Sequence, residues 1–227
     1  MTQDALFQQL KHPNPNLRDR AMWELAETRD DTTIPRLIEA LGDEDVVYRR
    51  AVVKALGVVG GDTVPPLVEL LLISDNVTIR GSCAKALVQI AVNYPEEIFP
   101  AAGLQGLKAA LNDPNPVVHI ASAMALGEIG TPALDILTES LETTENLGLM
   151  VSIVNALASI GGEQAAAVLT ALTTDESADP YTTPVRLLYG FPKRDDATVP
   201  PGWELPEGKS GFPEQQQLHS AQLQPDR

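Results

Sequence analysis

YRRAVVKALGVVG, residues 48–60, decides how this chain folds, because variants of it recur without internal gaps. Aligned on one polar position, the copies are LRDRAMWELAET from Leu17, YRRAVVKALGVVG from Tyr48, IRGSCAKALVQIA from Ile79, VHIASAMALGEIG from Val118 and LMVSIVNALASIG from Leu149. A leucine falls at the same place in each, at Leu25, Leu56, Leu87, Leu126 and Leu157, in steps of 31, 31, 39 and 31 residues. A period of this length marks stacked supersecondary units, each of which needs its neighbour to bury its apolar face. The expected fold is all-α: an α-α superhelix, or solenoid, of five long helices alternating with six short ones.

Punctuation supports that reading. Four residues before the first polar position of each copy stand Asn14, Asp45, Asn76, Asn115 and Asn146. Each can accept a hydrogen bond from a free N–H of the following first turn, so each predicts a helix start. Pro15 and Pro116 follow two of them, where a missing N–H costs nothing. Turns such as Gly60-Gly61 and Gly161-Gly162 end the long helices. Shorter helices are expected over residues 34–41, 64–72, 104–111, 133–141 and 163–172, after an opening helix over 5–10.

The solenoid is expected to occupy residues 1–174. The eight extra residues of the 39-residue step lie in NYPEEIFPAA, 93–102, which carries Tyr94 and Phe99 as candidate insertion-loop contacts. Residues 175–227 hold eight prolines and no helical apolar period, yet five of the chain's ten aromatics. They read as a Pro-rich extension, partly docked and partly disordered. Tyr181, Tyr189, Phe191 and Trp203 are its expected docking residues, either onto the open end of its own solenoid or onto a partner.

Composition narrows the function. With 16 basic against 31 acidic residues the net charge is −15, which argues against a nucleic-acid partner. The basic residues concentrate in the first three copies, and none falls between Lys108 and Arg186. The one cysteine, Cys83, rules out an internal disulfide and a cysteine zinc site, and fits a reducing, cytoplasmic setting. No apolar run reaches the length of a membrane span. The three histidines, His12, His119 and His219, are not followed by Glu, so no di-iron ligand set of His-Glu pairs is present.

Within the long helices, counting the first polar position as zero, positions three, seven and ten share one face and are expected core. Cys83 sits at position three and reads as a small buried hydrophobe. Position zero runs Arg18, Arg49, Arg80, His119, Met150 and suggests a ladder with loop acids such as Asp45 and Asp75. Positions one, five and nine form another stripe, spaced by four. Position five runs Trp23, Lys54, Lys85, Met124, Asn155, and position one includes Arg50. Trp23 either packs beneath the opening helix or lines a groove that is basic and aromatic at one end and apolar at the other. Trp23, Arg49, Arg50, Lys54, Lys85, His119 and Met124 are the candidate partner-binding residues of that inner groove.

The run V/I/L-R-x-x-A-x-x-A-L-G-x-I-G, with IRGSCAKAL, HIASAMALGEIG and the loops GDEDVVYR and DPNPVVH, resembles HEAT repeats of the phycobilisome-lyase type. The resemblance covers about residues 5–172, with departures at Glu24, His119 and Met150. It implies a cyanobacterial protein that binds other proteins: a phycobiliprotein, a second HEAT-repeat subunit or an iron–sulfur scaffold. One expectation is a non-catalytic maturation or assembly scaffold holding a client protein in its groove. The other is a subunit of a phycobilin lyase or isomerase, with phycocyanobilin as the bound group. The family offers no compact catalytic motif to transfer, and the residues themselves point to no catalytic centre, metal or cofactor.

Overall fold

In a computed structural model the described residues are 1–174. They form eleven α-helices: α1 (Gln3–Gln9), α2 (Pro15–Glu27), α3 (Thr33–Glu39), α4 (Val46–Val59), α5 (Val64–Ile73), α6 (Val77–Asn93), α7 (Ala101–Ala110), α8 (Pro116–Ile129), α9 (Leu134–Thr143), α10 (Leu147–Ile160) and α11 (Gly162–Thr174). The even-numbered helices are the long ones of the repeat. Each packs on the next, α2 on α4, α4 on α6, α6 on α8 and α8 on α10. The all-α solenoid and the order of its eleven helices are as the repeat predicts, except that α11, expected to be short, has 13 residues like α2.

All five caps form. Asn14 accepts from the N–H of Asn16, Asp45 from Val47 and Tyr48, Asn76 from Thr78 and Ile79, Asn115 from Val117, and Asn146 from Leu149. Such a cap is worth about 1 kcal/mol. The opening helix begins earlier than expected because the Thr2 hydroxyl oxygen accepts from the Ala5 N–H. At the other end, α4 and α8 stop at Gly60 and Gly130, whose φ of 85° and 83° other residues rarely adopt.

The core follows the predicted register. The five leucines at position seven and all of Ala21, Val52, Cys83, Ser122 and Ile153 at position three are fully buried. Burial pushes the Cys83 thiol up to about 12, so it carries no thiolate near neutrality. Position ten departs from expectation in the first copy. Thr28 is exposed, lies beyond the end of α2 and turns its hydroxyl back onto the Glu24 carbonyl at 2.7 Å.

Two packing details shape the long-helix layer. Gly57 lets α4 and α6 touch, since a Cβ there would lie 2.3 Å from Cβ of Gln89. Gly127 does the same for α8 and α10, where a Cβ would lie 3.0 Å from Cα of Ala156. Among the described residues no single helix is long and apolar enough to cross a membrane.

Candidate functional site

Position zero builds a ladder whose shared partner is a loop carbonyl, and at Arg80 it also meets a loop acid, Asp113, as its charges suggest. Arg18 Nη1 donates to the His12 and Pro13 carbonyls at 2.7 and 2.8 Å, and Arg49 Nη1 donates to the Asp43 carbonyl. Arg80 Nη1 donates to the Ser74 carbonyl at 3.0 Å, and His119 Nδ1 lies 3.0 Å from the Asp113 carbonyl. In all four copies one partner is the carbonyl six residues back, at the mouth of the loop that feeds the long helix. These carbonyls replace Asp45 and Asp75 as ladder partners, because Asp45 is committed to its cap. The ladder also continues through His119 and ends only at Met150, which cannot donate.

Two candidate groove residues therefore belong to the scaffold. His119 is 3% exposed and cannot line a surface. Arg49 is half-buried with its guanidinium turned onto the loop. Arg80 adds a bidentate pair to the next copy, Nε to Asp113 Oδ2 at 2.7 Å and Nη2 to Oδ1 at 3.2 Å. Burial works to raise the Asp113 pKa. The hydrogen bonds from Arg80 and the Asn115 N–H, with the charges of Arg80 and His119, outweigh it and hold the carboxyl below the usual aspartate value.

The insertion aromatics also face inward. Tyr94 ends α6, and its hydroxyl donates to the Val58 carbonyl. Its ring lies where a side chain at Gly60 would stand, 2.9 Å from a Cβ placed there. Phe99 packs at Gly103 in the same way. Both are half-buried against the core, while the loop's exposed apolar residue is Ile98. Tyr181, Tyr189, Phe191 and Trp203 lie outside the described residues, as does the whole expected extension.

The remaining candidates come together on the solvent side of the long-helix layer. Trp23 is 54% exposed rather than tucked under α1, and Met124 is 53% exposed. Arg50, Lys54 and Lys85 are exposed on α4 and α6. Position minus two, which the sequence reading passed over, lies on the same helical face as one and five. On α8 these three positions are Val117, Ile120 and Met124, all exposed, and they make an apolar line. Gly81, buried on α6, lets Val117 of α8 pack close to it, because a Cβ on it would come within 3.3 Å of Val117 Cγ1. The i, i+3, i+7 spacing of exposed apolar residues was the signal available for Val117 and Ile120.

The cations of this stripe are little paired. Elsewhere four cations meet a carboxylate, Arg29 with Asp62, Arg36 with Asp4, Arg80 with Asp113 and Lys108 with Glu139, while among the described residues Arg20 on α2 meets none within 4 Å. Lys11 lies over the Tyr48 ring. On the stripe, Lys54 reaches only Asp19, at 3.8 Å, with both side chains half-exposed. Among the described residues, Arg50 and Lys85 meet no carboxylate within 4 Å. Shallow depressions of about 530 Å³ and 270 Å³ lie elsewhere, one beside Phe7, Lys11 and Tyr48 and the other beside Leu72, Ser74 and Asp113. The candidate residues lie on an open, extended surface rather than in a depression.

A stack of capped helix pairs defines a class, and the chain belongs to it: residues 4–90 and 104–185 match the family of HEAT repeats. Its sequence relatives are narrower. It is 54% identical over 181 residues to the uncharacterized phycocyanin operon protein Z of Pseudanabaena tenuis (strain PCC 7409), covering 80% of this chain and 90% of that one. It is 43% identical over 107 residues to the bilin biosynthesis protein CpeZ of Synechococcus sp. (strain WH8020), covering 47% of this chain and 58% of that one. Among solved structures, the complex of CpcE and CpcF of phycocyanin lyase from Nostoc sp. PCC7120 matches with 17% identity and a TM-score of 0.47, over 68% of this chain and 96% of that chain.

Proposed function

We propose that this protein is a maturation factor for phycobiliproteins, a scaffold that holds a client protein on the stripe running from Trp23 to Met124. The observation that carries the reading is the stripe itself. Exposed Trp23, Ile120 and Met124 continue a row of cations with little or no carboxylate pairing, on a protein of charge −15. Apolar anchors beside underused charges are what protein interfaces are built from. The kinship to the phycocyanin operon protein Z and the bilin biosynthesis protein supports a phycobiliprotein as the client.

A second reading, a subunit of a phycobilin lyase or isomerase, is favoured by the cations. Arg50, Lys54 and Lys85 suit the propionates of a bilin substrate, and the Trp23 face suits its conjugated rings. The stripe is open to solvent, so a bilin lying on it would need a second protein to enclose it. The role of this chain in such a reaction is therefore to present the bilin or the client.

The test is reconstitution with an apo-phycobiliprotein subunit, free bilin and a second HEAT-repeat subunit. The scaffold reading expects a complex with the apo-protein by size-exclusion chromatography that Trp23→Ala with Met124→Ala abolishes. It is refuted if no complex forms. Covalent bilin attachment that requires this chain, read from the visible spectrum after denaturation, establishes the lyase-subunit reading instead.

A further inference from the structure

We infer that the stripe recognises a client segment of defined chemistry: an acidic run that lies across α4 and α6, next to aliphatic residues that lie on α8. The inference rests on the reading of this stripe as the client site and deepens it.

The argument starts from how the charges are used. In a chain with nearly twice as many acids as bases, carboxylates are at hand for a surface cation, and Arg29, Arg36 and Lys108 each pair with one, whereas among the described residues Arg20 on α2 does not. Among the described residues Arg50 and Lys85 meet no carboxylate within 4 Å, and Lys54 has one distant partner. All three stand on the solvent side of adjacent helices, α4 and α6. Cations left in this way within an acidic protein present a local positive field whose complement is an anionic group.

The neighbours of these cations decide which anion. On the far side, the stripe becomes Val117, Ile120 and Met124 with no basic residue, since none occurs between Lys108 and Arg186. On the near side stands Trp23. A phosphate backbone would meet an unfavourable apolar strip and a net charge of −15. A polypeptide that is acidic in one half and aliphatic in the other satisfies both parts. Packed helix axes stand about 8–10 Å apart, so α2 to α8 spans roughly 24–30 Å. At about 3.3 Å per residue, an extended segment of roughly eight or nine residues covers that distance. Trp23 anchors the acidic end by packing on side-chain methylenes.

The experiment uses the full chain carrying Trp203→Phe, so that Trp23 is the only indole. The probes are fluorescein-labelled peptides of about 12 residues: one with a Glu/Asp-rich half and a Leu/Met-rich half, one with Lys in place of each acid, and one with the same composition scrambled. Anisotropy gives affinity, and Trp23 emission reports contact. The expected result is binding of the first peptide with a shift in Trp23 emission. Affinity should fall at least about tenfold in Arg50→Glu with Lys85→Glu, and comparably in Ile120→Ser with Met124→Ser. These side chains are exposed, and far-UV circular dichroism confirms that the variants fold. The inference is overturned if the acidic–aliphatic peptide does not bind, if the lysine or scrambled peptide binds equally, or if the charge reversals leave affinity unchanged. A chain that captures apo-phycobiliprotein but ignores the peptide refutes this inference alone. A chain that binds the peptide through the stripe but captures no phycobiliprotein supports the inference and refutes the client named above.

Discussion

Replacing Arg80 by Met isolates the strongest electrostatic tie between copies. Arg80 closes its own loop through the Ser74 carbonyl and reaches forward to both oxygens of Asp113, which in turn accepts from the Asn115 N–H at 2.8 Å. The two side chains are 13% and 9% exposed, so solvent compensates little for a lost partner. Methionine fills most of the volume but leaves the Asp113 carboxylate largely buried without its cation. Breaking a fully buried pair costs about 3–5 kcal/mol, and the residual exposure brings the expectation to roughly 2–4 kcal/mol. Asp113→Asn keeps one acceptor for Asn115 and should cost less, about 1–2 kcal/mol. Urea unfolding followed by far-UV circular dichroism measures both, and the double variant should show a coupling of at least about 1 kcal/mol. The effect must also depend on pH. Asp113 has a lowered pKa in the folded chain, so its stabilisation is complete above the ordinary aspartate value near 4 and is lost as pH falls through the folded value. The difference between wild type and Arg80→Met should therefore narrow below about pH 4. A cost under about 0.5 kcal/mol at neutral pH, or additivity of the two single changes, would refute the reasoning.

Gly57→Ala should destabilise by about 1–3 kcal/mol, even though alanine is the better helix former by roughly 1 kcal/mol, because the new methyl meets Gln89; a rise in melting temperature would contradict the packing described. Asp45→Ala removes an acceptor for two N–H groups and should cost about 1 kcal/mol in urea unfolding, whereas Asp45→Asn should cost much less. Tyr94→Phe, which loses only the hydrogen bond to Val58, should cost about 0.5–1.5 kcal/mol and leave peptide affinity unchanged. Cys83 should react with a thiol reagent only as the chain unfolds, at a rate in native buffer that stays low from pH 7 to 9, since its thiol titrates at about 12.

The comparison of the five copies made most of the scaffold legible. Caps at Asn14, Asp45, Asn76, Asn115 and Asn146, and the buried positions three and seven, depend on residues within one helical turn of each other. Local geometry of that kind repeats whenever the sequence repeats. The stripe was legible in part. Lys54, Lys85 and Met124 stood out at one position, but Val117 was passed over because it sits two residues before the counted helix register.

What the amino-acid order determined alone is therefore the repeat: where each long helix starts, which face it buries, and that basic residues give way to apolar ones along the array. What required the tertiary structure is which polar groups are already satisfied. Arg49 and His119 look like surface ligands in the string of letters, yet each folds onto a carbonyl six residues back that comes within reach only when the loop turns. Tyr94 and Phe99 look like an exposed insertion, yet they fill the space left by Gly60 and Gly103. Partners of this kind come from neighbouring turns and copies, so they depend on how the chain stacks. Among the described residues the same stacking leaves Arg50 and Lys85 without a carboxylate within 4 Å, on the face that exposes Trp23, Ile120 and Met124.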